Sequence, residues 1–193
     1  MGEKVMKQIF CEIEKLIELE KLEKWEDIRV MLLEKWNQNR KDIDIFLRLV
    51  TECWHILSLW DCCIQTCGLS EQKFRETLIE ATLFGLIEFS LDIRFLTVVG
   101  YMMSVLPYLF LSSSDEDGYS EWAQKGKEML RLAYERAPDD LLVKTLWLGT
   151  VDCEDKYAET KQQLSSMLDA LFPNETIVEQ YFKDILKPWG GGQ

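Results

Sequence analysis

The chain has 193 residues, 47% of them hydrophobic, with four Pro and ten Gly, three of those glycines in the terminal Trp189-Gly190-Gly191-Gly192-Gln193. That is the size of one domain with ample apolar material for an interior. It argues against global disorder, and so few breakers favour helix over a many-turned β fold. Thirty-four acidic residues against twenty-two basic give a net charge of -12, which opposes contact with phosphate backbones and favours encounter with a basic protein.

The first predicted helix runs from about Glu3 to Leu22, with Val5, Ile9, Ile13, Leu16 and Leu19 on one stripe. Glu and Lys alternate through Met1 to Ile17, so no secretory apolar core is present. A second helix covers Trp25 to Gln38, and Asn37 to Arg40 breaks it. The third begins at Asp42 and carries Ile43, Phe46, Leu47, Val50, Trp54, Leu57, Asp61 and Ile64 at spacings of three and four. Gly68 is placed as a left-handed cap and Ser70 as the N-cap of a fourth helix bearing Phe74, Leu78, Ala81 and Gly85. Gly85 is expected to leave room for close helix approach, and Ser90 to cap the next helix.

Leu91 to Leu111 is nearly all apolar, and Phe95 to Leu111 is uncharged. A membrane span needs ~20 such residues, and Pro107 interrupts this one. A core helix, kinked or ended near Pro107, is the expected form. Ser112 to Gly118 is the clearest loop. A helix from about Tyr119 to Ala137 follows, with Trp122, Gly126, Met129, Leu130 and Ala133 facing inward. Pro138 suits the start of a further helix running from about Asp139 to Thr150. Asp155 to Phe172 and Pro173 to Leu186 complete the series, and Asn174-Glu175-Thr176 reads as a helix cap. No segment alternates as a half-buried strand does. The expectation is an all-α single domain over residues 1–187 with a flexible tail at 188–193. Its architecture would be about nine helices in an antiparallel α-hairpin stack or an irregular bundle.

Gly126, Leu130, Ala133 and Pro138, followed by Trp147-Leu148-Gly149, resemble the junction between two tetratricopeptide repeats. An echo lies at Trp36 to Trp54, where Asn39 replaces the proline. About 30 residues carry this likeness, which implies a repeat-like arrangement of paired helices.

Chemistry-bearing motifs are few. His55 is the only imidazole. It sits inside an apolar helix with no second His for a metal pair, and a hydrogen-bonded core or groove histidine is expected. Six Cys occur (11, 53, 62, 63, 67 and 153). Structural zinc uses a second Cys-x2-4-Cys pair besides one such as Cys63 and Cys67, and Cys11 and Cys153 are isolated, so buried or free thiols are expected in a reducing cytosol. Carboxylates at helical spacing, Glu76 with Glu80 and Glu88 with Asp92, read as solvated faces, since a di-iron bundle needs more than one His. No cofactor, no metal and no enzymatic activity are expected.

The acidic segments are more suggestive. Asp115, Glu116, Asp117 and Glu121 occur without one basic residue between Ser112 and Trp122. Asp139, Asp140, Asp152, Glu154 and Asp155 face Lys144 alone. In a helical-hairpin stack these loops could merge into one negative rim, with Tyr119 and Trp122 as aromatic anchors. In overall character the chain resembles the immunity proteins of bacterial contact-dependent inhibition and related polymorphic toxin systems. That resemblance implies a small, cytoplasmic, non-enzymatic protein that holds a basic toxin nuclease in a one-to-one complex. The other reading is a helical-repeat adaptor or secretion chaperone that holds a peptide segment in a groove. Neither reading involves direct nucleic-acid or membrane contact.

Overall fold

In the computed structural model the described residues are 8–61, 68–111, 118–151 and 153–188, and among them there is helix but no strand. The all-α class therefore stands. The helices are α1 (Leu16–Lys21), α2 (Trp25–Gln38), α3 (Ile43–Ser58), α4 (Glu71–Glu88), α5 (Ile93–Val105), α6 (Gly118–Arg136), α7 (Leu141–Leu148), α8 (Glu154–Leu164), α9 (Leu168–Leu171) and α10 (Ile177–Leu186). A 3-10 turn at Ser165–Met167 joins α8 to α9, so these two read as one interrupted helix and make nine among the described residues.

Neighbours in sequence pack on one another from α1 through α4; α5 then lies against α3 and opens a second run from α5 through α8, after which the chain returns so that α10 lies against α3. A single hydrophobic cluster runs from Ile9 to Leu186. Its centre is α3, in which every residue from Phe46 to Leu57 is buried. Such burial on all sides is why α3 carries no solvated stripe. Nearly all of α5 from Phe95 to Met103 is buried likewise. It ends at Val105, and Pro107 opens a 3-10 turn to Phe110, because proline cannot continue the hydrogen-bond ladder. No helix of the described residues is long and apolar enough to cross a membrane.

Local signals explain most helix boundaries. Asp42 caps α3, accepting from the N–H groups of Asp44 and Ile45, and Ser70 caps α4 through the N–H of Lys73. Thr176 caps α10 by accepting from Glu179 N–H. Gly68 has φ +82°, a conformation that costs glycine little.

Four expectations need correction. Residues 8–15 are not helical. Ile9 and Phe10 are both buried, which an extended segment laid into a groove permits. Ile9 N–H bonds Leu171 C=O, Phe10 packs on Phe172 and Phe182, and Lys15 turns the chain into α1 at φ 67°. Ile9, Ile13 and Leu16 of the apolar stripe are buried and Leu19 is half-buried, but docking on α9 and α10 overrides the helical period of the 8–15 segment. Asp92, not Ser90, caps α5, because its carboxylate reaches both Arg94 and Phe95 N–H; the Ser90 hydroxyl instead donates to Ile87 C=O. Pro138 lies in a turn, and Asp140 caps α7. The space at Gly85 is filled by the rings of Phe46 and Phe95, not by a helix backbone. The start of the first predicted helix, the 112–117 loop, Cys62, Cys63 and Cys67, and the tail from Trp189 lie outside the described residues.

A close helix approach occurs instead at the inward-facing Gly126, and its partner is α5. A Cβ at Gly126 would stand 2.6 Å from Gly100 O and 2.6 Å from Ser104 N. One at Gly100 would stand 2.9 Å from Met129 Cβ. The two helices cross backbone to backbone at this pair of glycines.

Candidate functional site

Of the acidic positions singled out in the sequence, Glu121, Asp139, Glu154 and Asp155 are exposed. None of them takes part in an ion pair among the described residues. Elsewhere on the surface many carboxylates are neutralised by neighbours, as in Glu80 with Arg40, Glu88 with Lys41, and Glu128 with Arg131. These four acids lack such a cation, a condition they share with exposed acids elsewhere, among them Glu14, Glu23, Asp27 and Glu34. Glu154 and Asp155 occupy the first turn of α8, where the helix dipole favours anions, and they line a depression of about 380 Å3 with Cys153 and Lys156. Glu121 lies in the first turn of α6, in an open depression of about 740 Å3 with Ser120, Gln124, Lys125 and Glu128.

These acids are not all brought together. Asp139 stands in the α6–α7 turn, at the end of α6 away from Glu121. Asp140 is buried, 5% exposed, and its carboxylate accepts from Leu142 and Val143 N–H as the α7 cap. That role takes it out of the exposed set. Asp115, Glu116, Asp117 and Asp152 lie outside the described residues. Of the two aromatic anchors, Tyr119 is exposed by 54%. Trp122 is half-buried, stacked on Phe110 at 5.7 Å with Lys125 over its ring. One indole face is thus already committed to the fold.

His55 is buried, 5% exposed, and packs against the Tyr181 ring at 5.5 Å. Neither ring nitrogen has a hydrogen-bond partner, which corrects the hydrogen-bonded histidine expected from sequence. Burial pushes its pKa down to about 4, so the ring is neutral over the physiological range. Cys53 is a buried free thiol whose pKa is raised by desolvation, and Cys11 and Cys153 are free and half-buried. No group of three or more His, Cys, Asp and Glu among the described residues is placed to hold a metal ion.

Sequence reasoning missed a charged cluster inside the protein. Arg48 on α3 is fully buried. Its Nε donates to Cys11 C=O at 3.2 Å, its Nη1 to Thr176 Oγ1 at 2.8 Å and its Nη2 to Glu179 Oε1. The guanidinium also lies over Phe10 at 4.7 Å. Asn174 Nδ2 donates to the same Glu179 oxygen at 2.8 Å. Glu52, one turn along α3, comes within 3.9 Å of Arg48. Glu20 from α1 accepts the Ile177 N–H at 2.9 Å, a cap for α10 supplied by a distant helix.

The cluster thus ties the 8–15 segment, α1 and α10 to the central helix. Burial pushes the Glu20 carboxyl up to about 7, against the pull of the Ile177 N–H and Arg48. Burial, then the charge of Glu20, drives Glu52 well above the ordinary carboxyl range. The signal available in the sequence was Arg48 and Glu52 standing four apart within the apolar run of α3, where charge is rare without a partner.

No family model matches the chain, and no curated protein or solved structure does either.

Proposed function

We propose that this chain is a non-enzymatic binding protein that neutralises a basic protein partner. The reading it fits best is an immunity protein that blocks a cognate bacterial toxin nuclease in the cytoplasm. The observation that carries the reading is that Glu121 on α6 and Glu154 and Asp155 on α8 are exposed and outside the ion pairs of the described residues, on a chain of net charge -12. Lys and Arg that grip a nucleic-acid backbone are complementary to such a surface, which would occupy them as a phosphate mimic. Tyr119, and the outer face of Trp122, supply apolar area beside it.

The test is direct. The protein is mixed with the nuclease domain encoded beside its gene, at equimolar amounts, and nuclease activity and association rate are followed as salt is raised. Full inhibition with an association rate that falls as salt increases supports the proposal. Replacing Glu121, Glu154 and Asp155 together by Gln, Gln and Asn is expected to slow association while lowering the melting temperature only slightly, because all three are exposed and lose only their first-turn attraction to the helix dipole. Unchanged kinetics would remove this surface from the interface.

A second reading, an adaptor or chaperone for a peptide segment, draws on Leu83, Ile87 and Leu91. These stand 49%, 82% and 66% exposed at the end of α4 and just beyond it. Under that reading binding tolerates salt and is weakened by Ile87→Asp.

A further inference from the structure

One guanidinium, Arg48, faces three carboxyl groups inside the protein: Glu20 on α1, Glu52 on α3 and Glu179 on α10. With all three ionised the interior would hold two uncompensated negative charges, each costing several kcal/mol to desolvate. The hydrogen bonds show where the deficit falls. Glu179 Oε1 receives Arg48 and Asn174, and Glu20 Oε2 receives the Ile177 N–H. Among the described residues no donor reaches Glu20 Oε1, Glu179 Oε2 or either oxygen of Glu52, so of the three only Glu52 has neither oxygen satisfied. The Glu20 and Glu52 carboxyls meet closely enough to hydrogen-bond once one of them carries a hydrogen. A carboxylic acid O–H on Glu52 directed at Glu20 Oε1 satisfies both residues at once.

We infer that Glu20 and Glu52 share one bound proton, that this proton fastens α1 and α10 to α3, and that its loss at higher pH loosens the α1–α10 junction. Without it two adjacent carboxylates repel in a sealed site, and the oxygen that caps α10 belongs to one of them. The proton is held against ionisation by burial, and Arg48 is already engaged by Cys11, Thr176 and Glu179.

The direction of the pH effect follows from linkage. The stability conferred by a carboxyl whose pKa is raised on folding is fully present below its ordinary value and is lost as pH rises through the folded value. For Glu20 that window reaches about 7, and Glu52 shifts in the same direction through burial and the charge of Glu20. His55, which faces Tyr181 of α10 one turn further along α3, works in the opposite sense. Its buried neutral ring loses stability as pH falls below the usual 6.5. The two effects oppose each other in weak acid, and above that value the carboxyl pair acts alone. The Cys11 thiol, near Arg48, is pushed up by burial and by Asp44 and stays protonated there.

Amide hydrogen exchange on the full chain between about pH 6.5 and 8 tests the inference. Protection at Ile177 N–H should fall, by up to tenfold per pH unit, as release of one proton on opening requires. Met129 and Leu130 in α6 should keep theirs. Glu52→Gln, whose amide donates to Glu20 at every pH, should make protection at Ile177 independent of pH. Wild-type protection that does not change with pH, or a Glu52→Gln variant that keeps the wild-type dependence, overturns the inference. Carbon chemical shifts of the glutamate carboxyls in the unmutated protein decide the matter should that variant not fold. One carboxyl titrating near or above about 7 supports the shared proton, and all of them titrating in the ordinary range of about 4–5 excludes it.

Discussion

Replacing Gly126 by Ala tests the α5–α6 crossing most sharply, because helix propensity and packing pull in opposite directions there. On propensity alone the change is favourable by about 1 kcal/mol, since Gly126 lies well inside α6. Packing opposes it. The new methyl would sit 2.6 Å from Gly100 O, 2.6 Å from Ser104 N and 2.9 Å from Met103 C, all backbone atoms of α5. Backbone cannot rotate aside as a side chain can, so the helices must part by roughly 0.8 Å to restore ordinary contact. Overpacking costs typically ~1–3 kcal/mol, and a backbone clash on several atoms belongs at or above the top of that range.

The net expectation is a loss of about 2 kcal/mol, or about 4–8 °C in melting temperature for a chain of this size. Gly149→Ala is the control. Its φ is -68°, and the nearest atom to a new methyl is a Tyr157 ring carbon at 3.2 Å, on a side chain that can shift. That variant should lie within about 0.5 kcal/mol of the parent. Urea unfolding followed by far-UV circular dichroism reads both. A Gly126→Ala protein as stable as the parent would show that the two backbones are not in contact, and the argument from the glycine pair would fail.

Trp54→Ala should cost ~3–5 kcal/mol as a core truncation, since the ring is 1% exposed and packs edge-on against Tyr181 and Tyr101; a near-neutral urea midpoint would place Trp54 outside the core. The His55 pKa of about 4 predicts that the contribution of this residue to stability falls by about 3 kcal/mol between pH 6.5 and 4. The stability difference between His55→Phe and the parent should therefore shift in favour of the variant by that amount over this range, whereas a constant difference would mean a solvated imidazole. Asp92→Ala should lose about 1 kcal/mol as a lost cap, while Ser90→Ala stays within about 0.5 kcal/mol; thermal melts with the reverse order would return the capping role to Ser90.

Much of the helical layout was legible before any coordinates, and the reason is local. Trp25–Gln38 was delimited by its apolar period, and Ser70 announced α4 through a side chain that reaches an N–H group three residues on; Asn174-Glu175-Thr176 reads as a cap, but α10 starts at Ile177 and not at Pro173. Pro107 marked the end of α5 because its ring forbids continuation. The extended 8–15 segment escaped detection because Ile9 and Ile13 carry a helical period that docking on α9 and α10 overrules. At the surface, charge could be counted but not located. The burial of Asp140 and the separation of Asp139 from Glu121 depend on where the α6–α7 turn falls.

Composition, period and capping residues by themselves determined that this chain is all helix, that it is strongly anionic and where most helices begin. These are properties of neighbours in sequence, set by backbone sterics and short-range hydrogen bonds. Only the tertiary structure decided that Arg48 would meet Glu179 and Thr176, some 130 positions away, and that Glu20 and Glu52 would face each other with one hydrogen too few. A charged side chain takes its protonation state from its dielectric surroundings and its partners, and both are assembled only when distant helices close over it.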